Sequence, residues 1–82
     1  MSHYVYILQS LKDGKYYVGE TADVMSRLQF HNNGLQRSTK SRIPFRLVIF
    51  ETHTDRSTAR RREKEIKSWK GGNKFQELIN GM

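Results

Sequence analysis

The sequence predicts an α+β domain, a three-stranded antiparallel sheet flanked by helices in the order β-β-α-β-α-α. Three observations predict it. Two tyrosine-bearing runs, Tyr4-Val5-Tyr6 and Tyr17-Val18-Gly19, flank an Asp13-Gly14 turn, the pattern of a hairpin. Phe45-Arg46-Leu47-Val48-Ile49-Phe50 is the most strand-like run in the chain. The remaining segments carry helical spacing and capping residues. Helices laid on a sheet let both kinds of element bury their apolar sides.

The first strand spans His3 to Ser10, with Val5 and Ile7 on one face and Tyr4, Tyr6 and Leu8 on the other. Lys15 to Glu20 is its partner. A two-residue loop pairs Lys12 with Lys15 and Leu8 with Gly19, which places Tyr6 and Tyr17 on one face; a three-residue loop separates them. The two phenols are then either core packing or two hydroxyls in one cleft. Asp23 is placed to cap a helix from about Val24 to Asn33, ended by Gly34. Its apolar stripe is Val24, Met25 and Leu28. Leu35 to Arg42 is a polar, basic loop, and Phe45 to Phe50 is the third strand. Ser57 or Asp55 caps a second helix through about Trp69, with Ala59, Ile66 and Trp69 inward. Gly71-Gly72 breaks it, and Lys74 to Ile79 forms a last short helix.

With 82 residues, the chain is one domain, 1–82. It contains no cysteine, so neither a disulfide nor a thiolate-metal framework supports it. No apolar run approaches the roughly 20 residues of a membrane span, and no signal pattern opens the chain. A soluble, cytoplasmic protein without membrane partners is expected. Fifteen Lys and Arg against eight Asp and Glu give a formal net charge of +7, and the simplest partner for such a surface is nucleic acid.

Some residues sit oddly for a purely structural protein. Arg27 and His31 are four apart on the first helix, beside its buried stripe. Each alone reads most simply as structural, the arginine snorkelling and the histidine satisfied in the core. Glu63 lies by the inward stripe of the second helix. A carboxylate there needs a salt bridge, to Arg27 or Arg62, or a metal ion. Glu65 points to solvent.

Placed in order, these residues resemble the GIY-YIG nuclease superfamily. The likeness is greatest to its small single-domain proteins, which are similar to the N-terminal nuclease domain of the excision-repair nuclease. Tyr4-Val5-Tyr6 stands at the first signature triplet and Tyr17-Val18-Gly19 at the second, with Thr21 after it. Arg27 through Gly34 resembles the family's Arg-x-x-x-His-x-x-Gly helix, and Ala59 through Lys67 its second helix, with Glu63 at the metal-ligand position. Tyr4, Val5 and Val18 depart from the family's glycine and two isoleucines. Asn73 is the nearest candidate for its closing asparagine, or else the cap of the last helix. The separate DNA-binding domains of the larger enzymes have no counterpart here.

The resemblance implies metal-dependent endonuclease activity on nucleic acid, with DNA as substrate and DNA repair or recombination as context. It implies Tyr6, Tyr17, Arg27, His31 and Glu63 as catalytic residues, and Glu63 as ligand to one Mg²⁺ or Mn²⁺. Arg37, Lys40, Arg42, Arg60, Arg61, Lys64, Lys67 and Asn73 form the candidate nucleic-acid-binding rim. No element clearly reads base edges, so little sequence specificity is expected. The alternatives are a non-catalytic nucleic-acid-binding module that keeps the fold and a basic protein-interaction domain.

Overall fold

The computed structural model describes residues 2–81. β1 (His3–Ser10) is the central strand of a three-stranded antiparallel sheet, with β2 (Tyr16–Thr21) on one side and β3 (Phe45–His53) on the other. Helix α1 (Val24–Asn32) covers one face; α2 (Arg56–Ser68) and α3 (Asn73–Ile79) cover the other. The expected order β-β-α-β-α-α is therefore the observed one. No helix among the described residues is long and apolar enough to cross a membrane.

Because β1 alternates, it supplies two cores. Val5 and Ile7 pack with Val18, Ala59, Ile66 and Phe75 under α2 and α3. Tyr6 and Leu8 pack with Val24 and Phe45 beneath α1. Val5, Tyr6, Ile7 and Leu8 are consequently all buried, as expected of a strand covered on both faces.

The hairpin differs from expectation in register. Leu8 pairs with Tyr17 and Tyr6 with Gly19, so Leu8 does not face Gly19, and the strand opens at Tyr16 rather than Lys15. A four-residue loop, Leu11 to Gly14, joins Ser10 to Lys15. Ser10 organises it: its Oγ accepts from the amides of Lys12 and Asp13, each at 3.1 Å, while its carbonyl accepts from Gly14 N at 2.9 Å. Asp13 Oδ1 then accepts from Lys15 N at 2.9 Å. The loop is longer than the expected one by two residues, an even number. Tyr6 and Tyr17 therefore keep a common face.

β3 carries a bulge. Ile7 faces Ile49 but Leu8 faces Leu47, which leaves Val48 unpaired. Val48 and Ile49 both pack toward α2, whereas Leu47 and Phe45 pack toward α1.

Asp23 caps α1, its Oδ1 accepting from Ser26 N at 3.1 Å. Met25 is not in the apolar stripe: it is 59% exposed, and buried His31 completes that stripe instead. Asn32 ties the end of α1 to β3. Its Oδ1 accepts from Phe45 N at 2.7 Å and its Nδ2 donates to Phe45 O at 3.0 Å. Gly34, at φ +73°, takes the left-handed turn that ends the helix. The loop beyond it contains a 3₁₀ turn, Lys40–Arg42. Asp55, not Ser57, caps α2. Gly72 occupies the capping position of α3, so Asn73 is the first helical residue and not the cap.

Candidate active site

The site begins where Tyr6 crosses β2. A Cβ added at Gly19 would lie 2.5 Å from the Tyr6 hydroxyl and 2.6 Å from its Cζ. Only a residue without a side chain lets the phenol pass over the strand. The Tyr6 hydroxyl meets His31 Nε2 at 3.1 Å, and His31 Nδ1 lies 2.9 Å from Thr39 Oγ1. All three residues are buried. Tyr17 joins from β2, its ring meeting His31 edge-on at 4.9 Å and lying 6.4 Å from that of Tyr6. The two tyrosines are thus both core and cleft: Tyr6 is buried, Tyr17 half-buried.

Two charged groups approach from opposite layers. Arg27, on α1, is half-buried with its guanidinium 4.9 Å over the Phe30 ring. It lines a groove with Glu20, Phe30 and Arg56. Glu63, on α2, lies on the flank of the Ala59–Ile66 stripe opposite to Arg62. Arg62 turns toward β3, where it forms a forked pair with Glu51 at 2.9 and 3.0 Å. The salt-bridge partner of Glu63 is therefore neither Arg27 nor Arg62 but Lys67, one turn on, at 2.6 Å. The lysine is 52% exposed, so it covers the carboxylate without sealing it.

Electrostatics tie these groups together. Burial pushes the Tyr6 phenol above its ordinary value; the charges of Tyr17, Glu63 and Glu20 push the same way, and Arg27 opposes them. These contributors come from α1, α2 and β2. Burial, seconded by Arg27, holds His31 below its ordinary value, so its ring is neutral near pH 7.

The basic rim divides. Arg60, Arg61 and Lys64 are exposed and line a hollow on α2 with Arg56 and Ser57. Lys67 is engaged with Glu63. Arg37 and Lys40 project from the loop into solvent. Arg42 is committed internally: Nε donates to Asp13 at 3.0 Å, and the guanidinium lies 5.5 Å over the Phe45 ring. Asn73 is exposed on α3. No group of three or more His, Cys, Asp or Glu side chains among the described residues could hold a metal ion.

Two contributors carry no signal in the sequence, and for a third, Gly19, the signature triplet marks the position but not the close approach, which depends on where Tyr6 points. Thr39 sits in a polar loop without periodicity. Arg56 directly follows the Asp55 cap, and only folding brings it to the Arg27 groove.

Residues 2–76 match the GIY-YIG catalytic domain, and the chain belongs to that family. Within it, the relatives are UPF0213 proteins. The chain is 41% identical over 80 residues to the UPF0213 protein of Staphylococcus epidermidis, which covers 96% of each chain. To that of Haloquadratum walsbyi it is 44% identical over 80 residues, covering 96% of this chain and 89% of the other. The solution NMR structure of the UPF0213 protein from Bacillus halodurans is similar, with 38% identity and a TM-score of 0.56. It covers 99% of this chain and 84% of that one.

Proposed function

We propose that this chain is a metal-dependent endonuclease that hydrolyses phosphodiester bonds in DNA with little sequence specificity. One observation carries the reading: the buried Tyr6 hydroxyl lies 3.1 Å from His31 Nε2, with Tyr17 against the same ring and Arg27 one turn before that histidine on α1. A binding module needs no such arrangement around a buried hydroxyl.

A phenol with an ordinary pKa of about 10 costs roughly 4 kcal/mol to ionise at pH 7, and burial raises that cost here. A standing phenolate is therefore disfavoured. The hydrogen bond to His31 offers a route that avoids one. As the attacking water gives a proton to Tyr6 Oη, the phenol gives its own proton to His31 Nε2. Water loses one O–H bond, His31 gains one N–H bond, and Tyr6 ends as it began. The hydroxide formed attacks phosphorus as the bond to the leaving oxygen breaks, and the departing oxygen takes a proton from solvent. Arg27 neutralises charge on the non-bridging oxygens as the transition state forms. Tyr17 packs against His31 and keeps its ring in place.

Glu63 suits a hard divalent cation. Mg²⁺ is commonly held by one or two carboxylates, with waters and substrate phosphate completing its shell. A single carboxylate covered by an exposed lysine fits that pattern. When bound, Mg²⁺ or Mn²⁺ supplies charge stabilisation at the leaving oxygen. Arg56, Arg60, Arg61 and Lys64 on α2, with Arg37 and Lys40 on the loop, hold the backbone.

The test is nicking of supercoiled DNA by wild type, Glu63→Gln and Tyr6→Phe, matched for thermal unfolding, with and without chelator. Glu63→Gln is expected to abolish metal-dependent cleavage and retain binding. Tyr6→Phe is expected to lose roughly 10²–10⁴-fold in rate. Equal activity in all three proteins refutes the site. Binding without cleavage in every metal favours the non-catalytic module.

A further inference from the structure

We propose that Thr39 is a positioning residue of the proposed nuclease site: its hydroxyl fixes the ring tautomer of His31, leaving Nε2 free to receive the Tyr6 proton. The inference rests on the nuclease reading for its kinetic consequence but not for its structural content.

Hydrogen-bond capacity carries the argument. The chain Tyr6 Oη, His31 Nε2, His31 Nδ1, Thr39 Oγ1, Gln36 O is continuous, at 3.1, 2.9 and 3.3 Å across its three gaps. Neutral histidine has one N–H and one bare nitrogen. If Nδ1 carries the proton, it donates to Thr39 Oγ1, the threonine donates to the Gln36 carbonyl, and Tyr6 donates to Nε2. Each proton then has an acceptor. In the other tautomer Nε2 donates to the phenol oxygen, and, until the attacking water arrives, the Tyr6 proton has no acceptor among the described residues. A buried polar hydrogen left without a partner is disfavoured. The two assignments are therefore unequal, and Thr39 is the residue that makes the difference.

Thr39 is held firmly enough for this role. It is fully buried. Its amide donates to Gln36 O at 3.1 Å, and the amide of Arg42 donates to its carbonyl at 2.9 Å. The following turn is fastened to the hairpin where Ser10 Oγ donates to Arg42 O at 2.6 Å and Lys12 Nζ to Ser41 O at 3.1 Å. The same loop carries Arg37 and Lys40, so one loop presents cations to solvent and a single hydroxyl to the core.

The experiment combines ring-nitrogen NMR with nicking kinetics on wild type, Thr39→Val and Thr39→Ser. Long-range ¹H–¹⁵N correlation at pH 8 reads the His31 tautomer without any need for activity. Wild type is expected to carry the proton on Nδ1. Thr39→Val is expected to shift His31 toward the Nε2–H form and to lower kcat roughly 10–100-fold, by analogy with loss of the hydrogen-bonded partner behind a metal-ligating histidine, with KM little changed. Thr39→Ser restores both. Nε2–H in the wild type overturns the proposal outright, even if Thr39→Val fails to fold. An unchanged tautomer in folded Thr39→Val also overturns it, as does a shifted tautomer with unchanged kcat. If wild type cuts nothing while its tautomer responds to Thr39, the nuclease reading fails and the positioning role stands.

Discussion

Gly19 and His31 carry the sharpest consequences at the scale of single residues. Gly19→Ala places a methyl group 2.5 Å from the Tyr6 hydroxyl, and the obstacle to moving is a buried ring with its own hydrogen bond. Overpacking of this kind costs about 1–3 kcal/mol. The expected outcome is a lowered unfolding midpoint in urea and loss of nicking, since the phenol must leave its line with His31. Unchanged activity would mean the phenol has another route. For His31, the folded-state value lies below the unfolded one of about 6.5. Above that pH both states are neutral and the ring contributes nothing. As pH falls below about 6.5 the unfolded chain takes up a proton first, so stability declines until pH passes the folded value. Backbone amides hold Asp13 and Asp23 below their ordinary values, so their contribution is lost lower, below about pH 4. Comparing thermal unfolding of wild type and His31→Asn between pH 7.5 and 5.5 isolates this histidine from the other two. Wild type should lose stability across that window and His31→Asn should lose less; equal slopes would contradict the assignment.

The elements themselves are largely legible in the sequence, for reasons specific to each. Tyr6 and Tyr17 fall on one face even with the register misjudged, because side-chain parity survives an error of two residues. Helical spacing puts Arg27, His31 and Glu63 beside their stripes, and His31 meets the Tyr6 hydroxyl. It does not expose Met25, since residue type alone cannot say which side of α1 meets the sheet. The Glu63 to Lys67 pair has the ordinary i, i+4 spacing, but the arginines are the more conspicuous candidates. Thr39 is illegible because its role depends on a loop whose path is set by Ser10, Lys12 and Asp13, far off in sequence. Asp55 and Ser57 both have capping chemistry, and the geometry selects Asp55, whose Oδ1 accepts from Thr58 N at 2.8 Å. Asp55→Ala should therefore lower the midpoint of chemical denaturation. Ser57→Ala should lower it much less. The reverse ranking would place the start of α2 elsewhere.

At the scale of the molecule, charge and layering act together. The net charge of +7 has few internal partners on the exposed flank of α2, where Arg60, Arg61 and Lys64 point outward. If that flank holds phosphates, affinity for duplex DNA should fall linearly with salt on logarithmic axes. Replacing Arg60 and Lys64 by Ala should reduce the slope by about two units and weaken all sequences alike. Filter binding across a salt series on unrelated duplexes reads both quantities, and salt-independent or sequence-selective binding would contradict the picture. Layering adds a condition. Arg27 belongs to the layer above the sheet and Glu63 to the layer below, so the proposed site would be complete only when both are docked.

The bulge at Val48 turns out to be a change of phase. With regular pairing, Phe45 and Phe50, five residues apart, would emerge on opposite sides of β3. The extra residue shifts the alternation by one step between them, so Phe50 meets Tyr4 and Phe45 meets His31 in the same layer. A single strand thereby furnishes aromatic walls at both ends of one compartment while Val48 and Ile49 serve the other. The chain length between those two phenylalanines is thus a counted quantity. Removing one residue there would dissolve the bulge and leave both phenylalanines on one side by plain alternation, at the loss of one of the two side chains that serve the other compartment.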